Sequence, residues 1–473
     1  MKKTSLMNLG VLLLLFSVNG FSQCLSNIAT VGYQNIVLKP DGSIYSWGFG
    51  GSATAQDNGD VNVLEPTQIG LSADWAKIYG GAIGNLFVIK NNQTLWSCGA
   101  NEDGELGNGT SGYINRVNVL TQVGTATWKM MAPNFTFTLG LKTDGSIWAT
   151  GQNQSGKLGD GTTIDRSSFV SVGTDNDWRE IATIGTTSYG IKQNGTLWSW
   201  GYNGTGQLGI DDLGIAESLI PIQVGTETEW NHVYGGTSAY CVLATKNNGA
   251  LYSFGAFVGG GSIGFGINVF KVAPTQLGTD TDWASASTSV FCSFAIKNNG
   301  TLWAWGKNTN GQIGDGTTTD RGFPVQVGSD SNWLKVSASY QHVIAMKTDG
   351  SLWVWGDGTQ AQLGNGGLVS SLVPIPIAVP GCALTNAAFN SEQNVFKVSP
   401  NPAKNSTTIT FSNAIIAPLL EVYDVLGKVI SSHQASNTND SWVLDTSKMA
   451  AGVYIVALKL EGNVVMQKKL VIE

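Results

Sequence analysis

Apolar and polar residues alternate in short runs through most of the chain, and Asp-Gly, Asn-Gly and other Gly-rich turns break the runs. A two-residue period places successive side chains on opposite faces of a strand, and turns of this chemistry join such strands into antiparallel hairpins. One string recurs seven times, an Asp or Asn turn followed by a small residue, an aliphatic, an aromatic and an aromatic-Gly close. The copies run Asp41 to Gly48, Asn92 to Gly99, Asp144 to Gly151, Asn194 to Gly201, Asn248 to Gly255, Asn299 to Gly306 and Asp349 to Gly356. Their closing glycines are spaced by about 51 residues, room for three to four strands per unit. A unit this small cannot bury both faces of its own sheet, so its neighbours must cover it, and seven units can close into a ring. In the seventh copy Trp353 and Trp355 point one way and Leu352 and Val354 the other, leaving both faces apolar. The pattern predicts an all-β fold, a seven-bladed β-propeller.

Two further motifs keep phase with the first. NEDGELGNGT at Asn101, NQSGKLGDGT at Asn153, NGTGQLG at Asn203 and NTNGQIGDGT at Asn308 follow the aromatic string, and segments such as Pro274 to Trp283 and Pro324 to Trp333 close the unit. The combined string resembles the repeat of the regulator of chromosome condensation family, over about residues 25 to 380. The resemblance implies a seven-bladed propeller. Kelch propellers share the period and a double glycine, but the paired motifs argue against them. The first copy departs from the pattern at Gly51 to Asp60 and the fifth at Phe257 to Gly266.

After Cys382 the pattern changes. A polar stretch is followed by strict alternation from Val453 to Leu460 and a Leu426-Gly427 turn, which predicts a small antiparallel, immunoglobulin-like β-sandwich. The tail resembles the C-terminal sorting domain of type IX secretion cargo of Bacteroidota. The matching residues are Pro400, Asn401 and Pro402, the hairpin from Tyr423 and Asp424 to Gly427 and Lys428, then Gly452, Tyr454, Lys468 and Lys469 with Leu470 and Val471. The resemblance implies passage across the outer membrane, and a partner in the type IX machinery. At the other end, Lys2 and Lys3 precede an apolar run from Leu9 to Val18, too short to span a bilayer, and Gly20-Phe21-Ser22 has a cleavage-site pattern. The expected organisation is a signal peptide at 1–22, a propeller at 23–382, a linker at 383–394 and a sorting domain at 395–473. No transmembrane helix is expected in the mature chain.

Composition narrows the function. With 12% charged residues, 61 Gly and a net charge of -7, the chain is neither disordered nor a coiled coil, and it has no basic stripe of the kind nucleic acid requires. Export permits disulfides, and Cys24 and Cys382 bracket the repeats as a possible pair. Cys98, Cys241 and Cys292 fall in strand-like runs as buried thiols. Fifteen of the 16 Trp occupy repeat positions and are assigned to core; Trp442 is the exception.

Motifs that suggest chemistry have structural explanations. Gly260-Gly261-Ser262-Ile263-Gly264 fits a hydrolase nucleophile elbow, but Ser262 takes the place of Gln312 in the next repeat. Gly151 to Leu158 approaches a phosphate loop, yet Leu158 stands where a hydroxyl would be needed. His232, His342 and His433 are too dispersed for a metal or a triad, and His342 is expected to pack or cap. The acids Asp280 and Asp282, and Asp175 and Asp177, lack the Gly and Glu of a calcium loop and are read as solvated turns. No catalytic residue, metal or cofactor is expected. The fifth unit breaks the repeat with Phe257, Val258, Phe265, Val269 and Phe270, a candidate partner site. The leading expectation is a secreted or surface, non-enzymatic propeller that recognises an extracellular protein or glycan. The alternatives are a polysaccharide-acting enzyme and, last, nucleotide exchange on a small GTPase, which an export signal disfavours.

Overall fold

The computed structural model describes residues 24–49, 62–82, 84–236, 241–255, 262–267, 269–380, 382, 396–411, 419–424, 428–434, 441–460 and 463–473. Residues 1–22 and 383–394, expected as signal peptide and linker, and the Leu426-Gly427 turn lie outside them. The chain divides into two compact bodies, Met1–Ala383 and Leu384–Glu473.

In the first body the strands form antiparallel sheets joined in sequence order. The first repeat unit comprises Asn27–Val31, Gln34–Leu38, Ile44–Gly48 and Val63–Gln68. The last comprises Trp333–Ala338, His342–Lys347, Leu352–Gly356 and Ser371–Ile377. The second and third units share one seven-stranded sheet, because Val117–Pro133 runs for 17 residues as fourth strand of one and first strand of the next. Counting that strand once for each, the described strands make seven four-stranded units.

The turn between second and third strands explains the recurring string. Asp41 Oδ1 accepts from Ser43 N at 2.9 Å and from Ser43 Oγ at 2.6 Å, and Asp349 repeats the pattern with Ser351. Such a side-chain turn reverses the strand without help from the rest of the fold. Gly42 sits at φ 83°, and a Cβ there would lie 2.4 Å from Ala73 O, so the position requires glycine.

The core is divided into slabs between neighbouring units. Leu25, Ile28, Val37 and Trp47 of the first unit pack with Ile344, Met346, Val354 and Leu363 of the seventh. Comparable clusters join the first unit to the second, the third to the fourth and the fourth to the fifth. Indole hydrogen bonds stitch the slabs: Trp305 Nε1 donates to Ser262 O at 2.8 Å and Trp355 Nε1 to Gln312 O at 2.8 Å. Trp47 Nε1 makes the same bond to Gln362 O at 3.0 Å, which joins the first unit to the last and closes the ring. Cys24 and Cys382 are joined by a disulfide across 358 residues, at the same seam. Cys98, Cys241 and Cys292 are buried thiols.

The second body has a three-stranded sheet, Phe396–Ser399, Ser406–Phe411 and Ser441–Asp445, and a four-stranded one, Val429–Gln434, Leu419–Tyr423, Gly452–Leu460 and Asn463–Ile472. Ile409 and Leu444 of the first sheet share a core with Leu420, Val422, Val456 and Leu470 of the second, so the body is a β-sandwich.

Candidate functional site

Antiparallel order sorts the loops of the propeller. Loops between first and second strands, and the long loops between third and fourth, share one end, called here the loop end; the Asp/Asn turns and the segments before each closing Trp share the other, the turn end.

The two ends differ chemically. Large apolar side chains are exposed mainly at the loop end: Tyr113 and Ile114 (92% exposed) of the second unit, Ile164 of the third, Ile267 and Phe270 (59%) of the fifth and Val369 (72%) of the seventh. At the seam, Tyr33 stacks on Tyr340 with ring centroids 5.5 Å apart and meets the edge of Phe49 at 6.2 Å. The turn end exposes Leu71 and Leu334, and in five units it carries a lysine paired with an acid over two aromatic rings. Lys192 lies 4.9 Å from both Trp178 and Trp198 and pairs with Asp175 at 2.6 Å and Asp177 at 3.1 Å. Lys297 repeats this with Asp280 and Asp282. Burial works against the charge of each lysine, but the carboxylates outweigh it and hold both above the usual lysine range. These acids lie in turns with about half of each side chain exposed, and they serve in addition as ion-pair partners of the repeat lysines.

The expected aromatic site in the fifth unit is divided. Phe257 and Val258 lie outside the described residues. Phe265 is half-buried, packs with Leu277, Trp283 and Trp305, and has the Lys271 ammonium 5.1 Å from its ring. Val269 is half-buried and Phe270 exposed. Gly266 N donates to Gly322 O at 2.8 Å, so this loop rests on the sixth unit, and the exposed Phe323 approaches Gly266. The wider loop-end distribution escaped the sequence reading; the signal was there, in apolar residues such as Tyr113-Ile114 within otherwise polar loops.

Polar candidates are committed to structure. Ser262 is buried, and its carbonyl accepts from Trp305, Ser293 and Cys241. His342 is fully buried with Nε2 3.1 Å from Asn35 Oδ1, and burial pulls it down to about 4, so it is neutral at pH 7. His232 meets Glu180 at 2.9 Å and His433 stacks on Trp442. Glu105 and Lys157 replace the glutamine of the second motif. Glu105 Oε2 accepts from Asp103 N at 2.9 Å, as Gln207 and Gln312 do in their loops. Lys157 cannot accept, and its buried ammonium instead donates to Gln152 Oε1 at 2.6 Å and Thr136 Oγ1 at 2.8 Å. Burial brings Lys157 down to about 8, against the pull of Asp103 and Asp165, and raises the Glu105 carboxyl. Among the described residues no three His, Cys, Asp or Glu side chains are grouped to hold a metal ion, and no helix is long and apolar enough to cross a membrane.

In the tail, Pro400, Asn401 and Pro402 are exposed, and Asn401 Oδ1 accepts from Val471 N at 2.8 Å, tying the opening of the domain to its last strand. Gly452 and Lys468 are exposed and Tyr454 half-buried; Gly427 lies outside the described residues, and Lys469 is placed in the last strand.

The fold and these motifs define a repeat propeller followed by a sandwich with an ordered C-terminal signature. The regulator of chromosome condensation (RCC1) repeat matches at residues 194–243, 299–346 and 349–388, with a second form of the repeat at 333–362, and the secretion system C-terminal sorting domain matches at 397–473. Among solved structures, Prp20p of Saccharomyces cerevisiae is 18% identical with a TM-score of 0.60, over 68% of this chain and 82% of that one. Human WBSCR16 is 17% identical with a TM-score of 0.62, over 72% and 94%. At these identities the likeness shows the fold. The chain carries RCC1 repeats and ends in a sorting domain for export by the type IX secretion system, to the cell surface or the extracellular space.

Proposed function

We propose that this exported propeller is a non-enzymatic binding protein that engages an extracellular protein partner through its loop end. The observation that carries the reading is the concentration of exposed Ile, Val, Tyr and Phe in the loops of that end, beside others such as Val119, Ile220 and Phe323 on fourth strands, against charge pairs at the other end. Apolar side chains exposed on the loops of a rigid scaffold gain by being covered, at roughly 1.5 to 3 kcal/mol per large side chain. Aliphatic loop tips favour a protein over a glycan, because sugar rings are held on flat aromatic faces. The repeat Asn, Thr and Ser side chains support a binding role in another way. Asn153 and Asn308, for example, use their amides to close their own loops and are not poised for reaction.

The test replaces Ile114, Ile267 and Phe270 by Ser in one variant and Leu71 and Leu334 by Ser in another, and compares capture of proteins from an outer-membrane extract. The loop-end variant is expected to lose at least tenfold in capture with its melting temperature within a few degrees, and the turn-end variant to capture normally. Equal capture by all three forms, or turnover of a polysaccharide by the purified protein, overturns the reading.

A further inference from the structure

Among the described residues the lysine box of the turn end is complete in five units and incomplete in the first and the third; in the first, Lys39 lies over Tyr45 and 3.9 Å from Asp41 of its own turn. In the second unit Lys90 pairs with Asp74 at 3.0 Å, in the fifth Lys246 with Glu227 at 2.8 Å and in the seventh Lys347 with Asp330 at 2.7 Å, as Lys192 and Lys297 do in the fourth and sixth. Each of these lysines also lies over two aromatic rings of its own unit. In the third unit the segment before the closing Trp reads Gly124-Thr125-Ala126-Thr127, without an acid. Lys142 keeps its rings, 3.3 Å from the centroid of Trp148 and 5.5 Å from that of Trp128, but it makes no ion pair among the described residues.

The backbone of the box is retained. Thr143 N donates to Thr127 O, as Gln193 N does to Asp177 O and Asn298 N to Asp282 O. Thr127 therefore stands where Asp177 and Asp282 stand, and its hydroxyl lies 2.7 Å from the Thr143 hydroxyl. What is missing is the carboxylate alone. Burial leaves Lys142 below the usual lysine range, against a smaller upward pull from the Asp144 carboxylate of its own turn, which forms no ion pair among the described residues, whereas its paired counterparts Lys192, Lys246 and Lys297 are raised.

A cavity of about 320 Å³ opens beside it, between the second and third units, lined by Lys77, Lys90, Gln93, Trp128, Lys129 and Thr143. Lys77 Nζ donates to Lys129 O at 2.6 Å and Lys129 Nζ to Arg179 O at 3.1 Å; neither lysine makes an ion pair among the described residues. Asp74, on Lys90, is the one carboxylate paired with a cation of this pocket among the described residues. Positive charge thus accumulates locally in a chain whose net charge is -7.

We propose that the third unit takes a carboxylate from outside the chain, in the place that an Asp or Glu side chain fills in five other units. The lysine is already held on two indoles and partly stripped of water, so an incoming carboxylate meets a pre-formed partner and gains a charge-assisted bond with little ordering cost. The partner is an acidic polypeptide, because the group that fills this place in five other units is an Asp or Glu side chain. The site lies at the turn end, so its test is independent of the loop-end reading.

Full-length protein is titrated with poly-L-glutamate and, separately, with polygalacturonate at low salt, alongside a Thr125→Asp/Thr127→Asp variant, which builds the missing acid, and Lys142→Met. The expected result is binding of poly-L-glutamate in preference to polygalacturonate, weakened at least tenfold by either change and by 0.3 M salt, with the Asp variant melting no lower than the parent. Failure to bind poly-L-glutamate, preference for polygalacturonate, or binding that the Asp variant retains overturns the proposal.

Discussion

His342 should make the stability of the propeller fall steeply in mild acid. Its imidazole is fully buried at the seam between the last and first units, with Nε2 on Asn35 Oδ1 and Nδ1 without a partner. Burial lowers its pKa from 6.5 to about 4, against a smaller upward pull from Asp357. Between those values the unfolded chain holds a proton that the folded chain does not, so stability rises with pH. The contribution is fully present above pH 6.5 and is lost as pH falls toward 4; at pH 4.5 the loss is about 2.5 kcal/mol. Carboxylates also titrate in this range, so the measurement is a comparison with His342→Gln. Glutamine suits the site, since Gln34 stands at the matching position of the first unit and an amide can still donate to Asn35. Urea-unfolding midpoints of both proteins are followed from pH 7.5 to 4. The parent should lose stability more steeply below pH 6.5, by the stated amount at pH 4.5. Parallel curves would refute a neutral, buried imidazole at the seam.

Two other outcomes follow from the same packing. Replacing Lys157 by Gln, the residue of three other units, should stabilise the protein at pH 7 by up to about 3 kcal/mol, because the lysine carries its burial cost below pH 8 and sheds it toward 10.5. A gain that does not shrink as pH approaches 10.5 would contradict this origin. Converting both Cys24 and Cys382 to Ser should cost 2 to 5 kcal/mol in thermal or urea unfolding, since the bond closes a 358-residue separation and long loops gain most in the chain-entropy model; a loss below about 1 kcal/mol would show that the packed seam suffices alone.

The sequence determined the repeat unit, its strands and its turns, because these are local. Asp41 and Ser43, or Asn194 and Thr196, form their turn from residues two apart, and alternation around each turn assigns the faces of the strands. It also marked the tail, whose Pro400-Asn401-Pro402 opening and final strand both lie within the matched sorting domain. Tertiary structure decided everything that depends on one unit meeting another. The Trp47 bond to Gln362, the Asn35 contact with His342 and the resting of Gly266 on Gly322 link residues whose separations carry no periodic signal of their own. The same holds for charge. Asp175 and Asp177 look like solvated turn residues along the chain, and only folding brings Lys192 between them and two indoles. Alternation along a strand reports which face is buried. Which end of the ring is apolar depends on which loops the antiparallel order gathers together, and that order puts the Tyr113-Ile114, Ile164, Phe270 and Val369 loops at the same end.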